Sequence, residues 1–139
     1  MSKADEQNRE ALTALVGPRL ERGEAIVAML PFATTPKRPK GPEGKIREGV
    51  WQSARLHRPI VLTDRSLFVF DAGRTPYPRA LNTRFDLHDV SVVNVTERRA
   101  GTSTLVLELP REGQVPFELG RFDDVAVFVA AVGGPERST

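Results

Sequence analysis

From Ala25 to Leu119 the chain is cut into short β-compatible runs by breaks rich in Gly, Pro or charge, and this spacing constrains the fold more than any other feature. The clearest pair lies in RPIVLTDRSLFVFD, where residues 59 to 63 and 67 to 71 are rich in β-branched residues, Leu or Phe and flank the polar turn TDRS. Two such runs around a short polar turn predict a β-hairpin. Upstream, AIVAMLPF reads as a first strand. After the hairpin, DAGRTPYPRALN carries a Gly and two prolines and reads as an extended connection. Four further β patterns follow it: TRFDL, VSVVNV, STLVLEL and VPFEL. Leu105, Leu107 and Leu109 share one face of the third of these, and Val115, Phe117 and Leu119 one face of the fourth. The crowding of Val90, Val92, Val93 and Val95 breaks strict alternation, and a bulge accommodates it. Pro116 lacks a backbone donor, so the last strand is either an edge or begins there. Short strands at this spacing predict a sandwich or a small barrel.

The two ends have a different period. Ser2 is placed to cap a helix with Asp5 at the third helical position; Leu12, Leu15 and Val16 make a short apolar stripe, and Gly17-Pro18 stops it. In RFDDVAVFVAAVGGP, Phe122, Val125, Val129 and Val132 recur at steps of three and four, Asp123 is a candidate cap, and Gly133-Gly134-Pro135 ends the run. That amphipathic helix needs an apolar surface to cover, and the mouth of a small β-barrel supplies one. With 139 residues the chain has room for one modest core. The reading is residues 1–23 as an N-terminal helical extension, 24–133 as one mainly β domain with a capping helix, and 134–139 as a tail.

Chemistry has few footholds. There is no cysteine, which removes disulfides, thiolate catalysis and cysteine metal sites, and only His57 and His88 remain as nitrogen ligands. No cofactor or metal is expected. Gly41 to Lys45 has the form G-x-x-G-K, but Pro39 stands where a phosphate loop needs Gly and Ile46 where it needs Ser or Thr. His57 lies beside arginines that disfavour its protonated form, and His88 sits at the LHDV corner near Asp86 and Asp89 as a surface turn residue. Asp64 and Asp123-Asp124 are explained by turn chemistry and by the helix dipole. The chain is not read as an enzyme. No apolar run reaches the ~20 residues that a membrane helix needs, and the polar N-terminus has no apolar signal core. A cytoplasmic protein, peripheral at a membrane in one of the readings below, is the expectation.

Charge is the informative composition term. Residues 36 to 58 hold seven Lys/Arg against two Glu, while the whole chain is only +2. The basicity is therefore local, and a local patch points to a partner more than a high isoelectric point does. Lys37, Arg38, Lys40, Lys45, Arg47, Arg55 and Arg58 supply the charge, with Trp51 among them. Near an anionic membrane each cation contributes about 1 kcal/mol, so such a patch gives weak, salt-sensitive attachment. Trp51 is the second signal such attachment requires, because tryptophan favours the boundary between apolar and wet phases. Ile46, Val50, Ala54 and His57 also fall at helical steps, so a short basic helix over residues 44 to 57 is one alternative. Folding of Val50 and Trp51 back against the barrel is another.

Seven β patterns followed by one amphipathic helix, together with IVLTDRSLFVF and FDLHDVSVV, resemble bacterial pleckstrin-homology-like (PH-like) and GRAM-like domains over roughly residues 24 to 133. The resemblance implies a seven-stranded, partly open barrel of two nearly orthogonal antiparallel sheets, plugged at one end by the helix. It implies a binding module rather than a reaction, and it raises the prospect of homo-oligomers. In phosphoinositide-binding members the loop between the first two strands carries a lysine, a spacer, then a basic-x-arginine pair. Lys37, a seven-residue spacer, Lys45 and Arg47 fit that spacing, although Glu48 and Gly49 follow where the family continues into a hydrophobic strand. The partner is read as a protein or an anionic lipid surface. Nucleic acid ranks lower, because one Trp and one Tyr make no stacking ladder. A self-assembling scaffold pairing through an exposed sheet edge stays open beside them.

Overall fold

The computed structural model describes residues 3–36, 55–71, 80–97, 102–120 and 123–132. Helix α1 spans Lys3–Val16 and ends in a 3-10 turn at Gly17–Arg19. Among the described residues nine strand segments follow: β1 Ile26–Leu30, β2 Thr34–Pro36, β3 Arg55–His57, β4 Ile60–Thr63, β5 Ser66–Asp71, β6 Ala80–Asp86, β7 Ser91–Glu97, β8 Ser103–Leu109 and β9 Gly113–Leu119. Helix α2, Val125–Val132, closes the order. One sheet runs β1-β4-β5-β6 and the other β3-β2-β9-β8-β7, with every pairing antiparallel.

Nine segments are seven strands because the first two bend. β1 passes into β2 through Pro31 to Ala33, and β3 into β4 through Arg58 and Pro59, so each crosses from one sheet to the other. Proline fixes φ and removes a ladder donor, which suits a corner. The two bends are tied together by the Arg58 N–H, which donates to the Ala33 carbonyl at 2.9 Å. The strand expected over AIVAMLPF is β1, which ends at Leu30, and β2 continues it past the bend. The strand expected to start near Pro59 already begins at Arg55, paired with Pro36. Residues 55 to 57 are strand, so the helix considered over 44 to 57 does not extend to its end; residues 44–54 lie outside the described residues.

Continuous apolar runs in β4 and β5 reflect a sheet covered on both faces. Ile60, Leu62, Leu67 and Val69 point into the core between the sheets, alongside Leu105, Leu107, Leu109, Phe117 and Leu119 from β8 and β9. Val61, Phe68 and Phe70 point the other way and are buried with Met29 under Leu12 and Val16 of α1. In β8 the predicted alternation holds, every second residue from Ser103 to Leu109 being buried. The irregularity expected among the valines is present: the β7–β8 register shifts between Val92 and Asn94. Pro116 neither starts β9 nor lies in the outermost strand. It pairs with Val106 on β8, while β2 on the other flank reaches only Glu118. The region read as an extended connection is shorter than expected, since β5 runs through Asp71 and β6 begins at Ala80.

Helix α2 lies against β1 and β7 and sends Phe128 fully into the core, with Val125, Val129, Ala131 and Val132 packed around it. Phe128 is off the stripe read from the sequence. In a run of eight Ala, Val and Phe residues no polar position marks which face is buried. Asp123 does not cap the helix with its side chain. Its Oδ1 accepts the Phe32 N–H at 3.0 Å and its Oδ2 the Gly120 N–H at 2.6 Å. Asp124, immediately before the helix, accepts the Phe128 N–H on its carbonyl and donates its own N–H to the Met29 carbonyl.

Candidate docking surface

The residues singled out by charge are divided by the structure. Lys37, Arg38, Lys40, Lys45, Arg47 and Trp51 lie outside the described residues. Their attachment is described: Thr34–Pro36 and Arg55–His57 form an antiparallel pair, so the basic segment leaves and re-enters the second sheet at one place. Arg55 belongs to β3. Arg58 has structural partners. Its guanidinium donates to Glu112 at 3.0 Å and stands 5.8 Å from the Phe117 ring centre, so it ties the second bend to the β8–β9 turn. A cation held this way is less available to a partner than one on an open loop.

The TDR turn is a fastening. The Thr63 hydroxyl accepts the Arg65 N–H at 3.1 Å and the Ser66 N–H at 2.8 Å, and donates to the buried Glu24 carboxylate. Glu24 also accepts the Glu21 N–H at 2.8 Å. Asp64 accepts the Ala25 N–H at 3.1 Å, and Arg65 lies 3.6 Å from Glu21 and donates to the Arg22 carbonyl. Gly23, at φ 85°, supplies the left-handed turn this requires. The motif therefore binds the chain entering β1 to the β4–β5 turn through Thr63, Asp64 and Arg65.

The two histidines have different surroundings. Burial, rather than the neighbouring arginines, lowers the His57 pKa, and its Nδ1 has no hydrogen-bond partner among the described residues. His88 is exposed in the 3-10 turn Leu87–Asp89, 3.0 Å from Asp86 Oδ1, and its hydrogen bonds hold the exposed Asp86 carboxyl below the usual range. A groove of about 430 Å³ lies nearby, between Thr83 to Asp86 and the β8–β9 turn. Arg111 in that turn has φ 71°, an uncommon backbone for a residue with a Cβ. The charged side chains there are largely occupied: Arg84 pairs with Glu21 and stacks on Phe68, Asp86 holds His88, and Glu112 holds Arg58.

The sheet edges are treated unequally. The β1 edge is covered, since Met29 exchanges hydrogen bonds with Asp124, and Phe32 donates to Asp123. At the far edge of the other sheet, β7 pairs with β8 and has no strand on its outer side among the described residues. It carries no Lys, Arg or Pro, and of the usual edge guards it has Glu97 and the register shift between Val92 and Asn94. Val93 on β7 is 36% exposed, and Val127 on α2, the helix that touches β7, is 49% exposed. Ala126 and Ala130 are exposed beside Val127 on that helix. Sequence reasoning passed over this face because an edge strand is defined by what is missing beside it. The signal available was VAVFVAAV, which is apolar on more sides than one buried stripe needs.

Among the described residues, seven antiparallel strands in two sheets, the first two bent across both, and a C-terminal helix entering the core together decide the architecture. The fold is PH-like. The pleckstrin homology domain from Shewanella amazonensis SB2B is similar at 16% identity and TM-score 0.45, covering 87% of this chain and 91% of that one. The Vps36 N-terminal PH domain is similar at 17% identity and TM-score 0.46, covering 81% of this chain and 79% of that one. No protein-family model and no curated protein matches the chain. No helix among the described residues is long and apolar enough to cross a membrane.

Proposed function

We propose that the chain is a PH-like, non-catalytic binding module that takes an extended, uncharged protein segment along the β7 edge, beside α2. The observation that carries this reading is a seven-residue edge strand, paired with β8 on one side and with no strand on its outer side among the described residues, next to a helix with exposed Val127. An extended segment added there completes the backbone ladder, and alternate side chains supply the specificity. Glu97 is the one charged residue in β7, and α2 has none. A neutral, β-branched segment therefore meets no desolvated charge. Selection of a displayed random peptide library on the purified chain tests the reading. Enriched uncharged, β-branched peptides whose binding is lost in Thr96→Lys and in Val127→Asp support it. Peptides that bind both variants as well as the original chain, or no enrichment, overturn it.

A second surface is the basic segment, with Lys37, Arg38, Lys40, Lys45 and Arg47 docking on an anionic membrane and Trp51 inserting. The β2–β3 pairing favours it, because both ends of the segment are anchored at one point of the second sheet. Co-sedimentation with anionic but not neutral vesicles, with a blue shift of Trp51 fluorescence, is the expected result. Failure to sediment at low salt removes this surface. A salt-dependent mobility shift with generic DNA or RNA instead assigns it to nucleic acid.

A further inference from the structure

Two adjacent carboxylates precede α2 and have opposite surroundings. Asp124 has a cation: its Oδ2 and Oδ1 accept from Arg9 Nη1 and Nη2 at 3.0 and 3.2 Å, and Oδ2 also accepts the Met29 N–H at 3.2 Å. Arg9 is held from its other side by Asp5, whose oxygens lie 3.1 and 3.2 Å from Nε. Asp123 is 8% exposed and has no such partner among the described residues. Its oxygens take the backbone N–H groups of Phe32 and Gly120. A buried anion held by amide dipoles, without a cation in contact, carries a desolvation cost that proton uptake removes.

We propose that Asp123 and Asp124 form a proton-operated clasp that seats α2 on the β1 edge, with neutral Asp123 giving the tighter seat. Asp124 is the half tied to Arg9 by an ion pair, and Asp123 is the buried half without a cation in contact. The charged and titratable groups facing Asp123 are Arg9 and Asp5 from α1, with Asp124 beside it in the chain. From the first bend the Phe32 N–H faces it, and neither β1 nor that bend carries a charged residue. Burial raises the Asp123 carboxyl from 3.8 to about 6, against the lowering effect of the Phe32 and Gly120 N–H groups and of Arg9. The sign follows from this. Since the folded state binds the proton more tightly, Asp123 adds to stability below pH 3.8 and that addition is lost as pH rises through about 6. Most exposed carboxylates give no comparable gain on acidification. The clasp is independent of whether β7 and α2 dock a partner.

Hydrogen exchange of the α2 amides across pH, corrected for intrinsic exchange, reads the seat directly, and carbon-detected titration of the Asp123 carboxyl reads the proton. The expectation is a midpoint well above the ordinary aspartate value and an α2 opening constant that rises at least ~10-fold between pH 4 and pH 7. Arg9→Gln should move the Asp123 midpoint up, a shift that a purely structural role for Arg9 does not produce. Asp123→Asn should flatten the pH dependence of α2 opening. If that variant fails to fold, the titration of the original chain still decides. A midpoint near 4, or α2 exchange that follows intrinsic chemistry alone, overturns the clasp.

Discussion

A threonine hydroxyl can accept two hydrogen bonds and donate one, and Thr63 uses all three: Arg65 and Ser66 donate to it, and it donates to Glu24. Burial would push the Glu24 carboxyl up, but the Thr63 hydroxyl, the Glu21 N–H and the Arg84 guanidinium outweigh it and hold it below its usual range. Glu24 therefore contributes stability above pH 4.5 that is lost as pH falls through its lowered folded value, opposite in sign to Asp123. Thr63→Val keeps the shape and β propensity of the site but removes the donor from a buried charge. The expected loss is about 2 kcal/mol, read as a lower denaturant midpoint at unchanged slope, with acid destabilisation beginning at higher pH. Retention of the midpoint would show that water or Arg84 replaces the hydroxyl.

At the scale of elements, α2 is held by one side chain more than by its stripe. Phe128 is fully buried while Val127, one position earlier, is half exposed. Phe128→Ala should cost about 3–5 kcal/mol through lost transfer energy and a cavity between the sheets; Val127→Ala should cost under about 0.5 kcal/mol. Thermal melts of the two variants check the contrast, and equal losses would mean that the helix is seated differently. The same helix shows where the sequence is legible. STLVLEL announces its buried face because polar and apolar residues alternate, whereas VAVFVAAV offers no contrast from which to choose Phe128. TDRS was readable as a turn because turn chemistry is local. That Thr63 serves Glu24 was not, since the two meet only when β4 returns beside the start of β1. The basic segment was legible as charge and as a connection between the first two strands. The β7 edge was not, because pairing partners depend on the order of strands in the sheet.

At the scale of the molecule, the helix read as an extension is a third layer. Leu12 and Val16 have no exposed surface and cover Met29, Val61, Phe68 and Phe70 on the outer face of the first sheet. Burying those two side chains is worth roughly 3–6 kcal/mol, a large share of the ~5–15 kcal/mol that holds a domain together. Arg9 adds a link from α1 to the start of α2 through Asp124, and Glu21 adds one to Arg84 on β6. A chain beginning at Glu24 loses all of these and exposes two phenylalanines on a sheet face. We expect it to melt at much lower temperature or without a cooperative transition, and to bind a hydrophobic dye that the whole chain excludes. Arg9→Met, which keeps α1 but cuts its link to Asp124, should fall between the two. If the shortened chain melted like the whole one and excluded the dye, the two-sheet core would be sufficient alone, and residues 24–133 would be the complete folding unit.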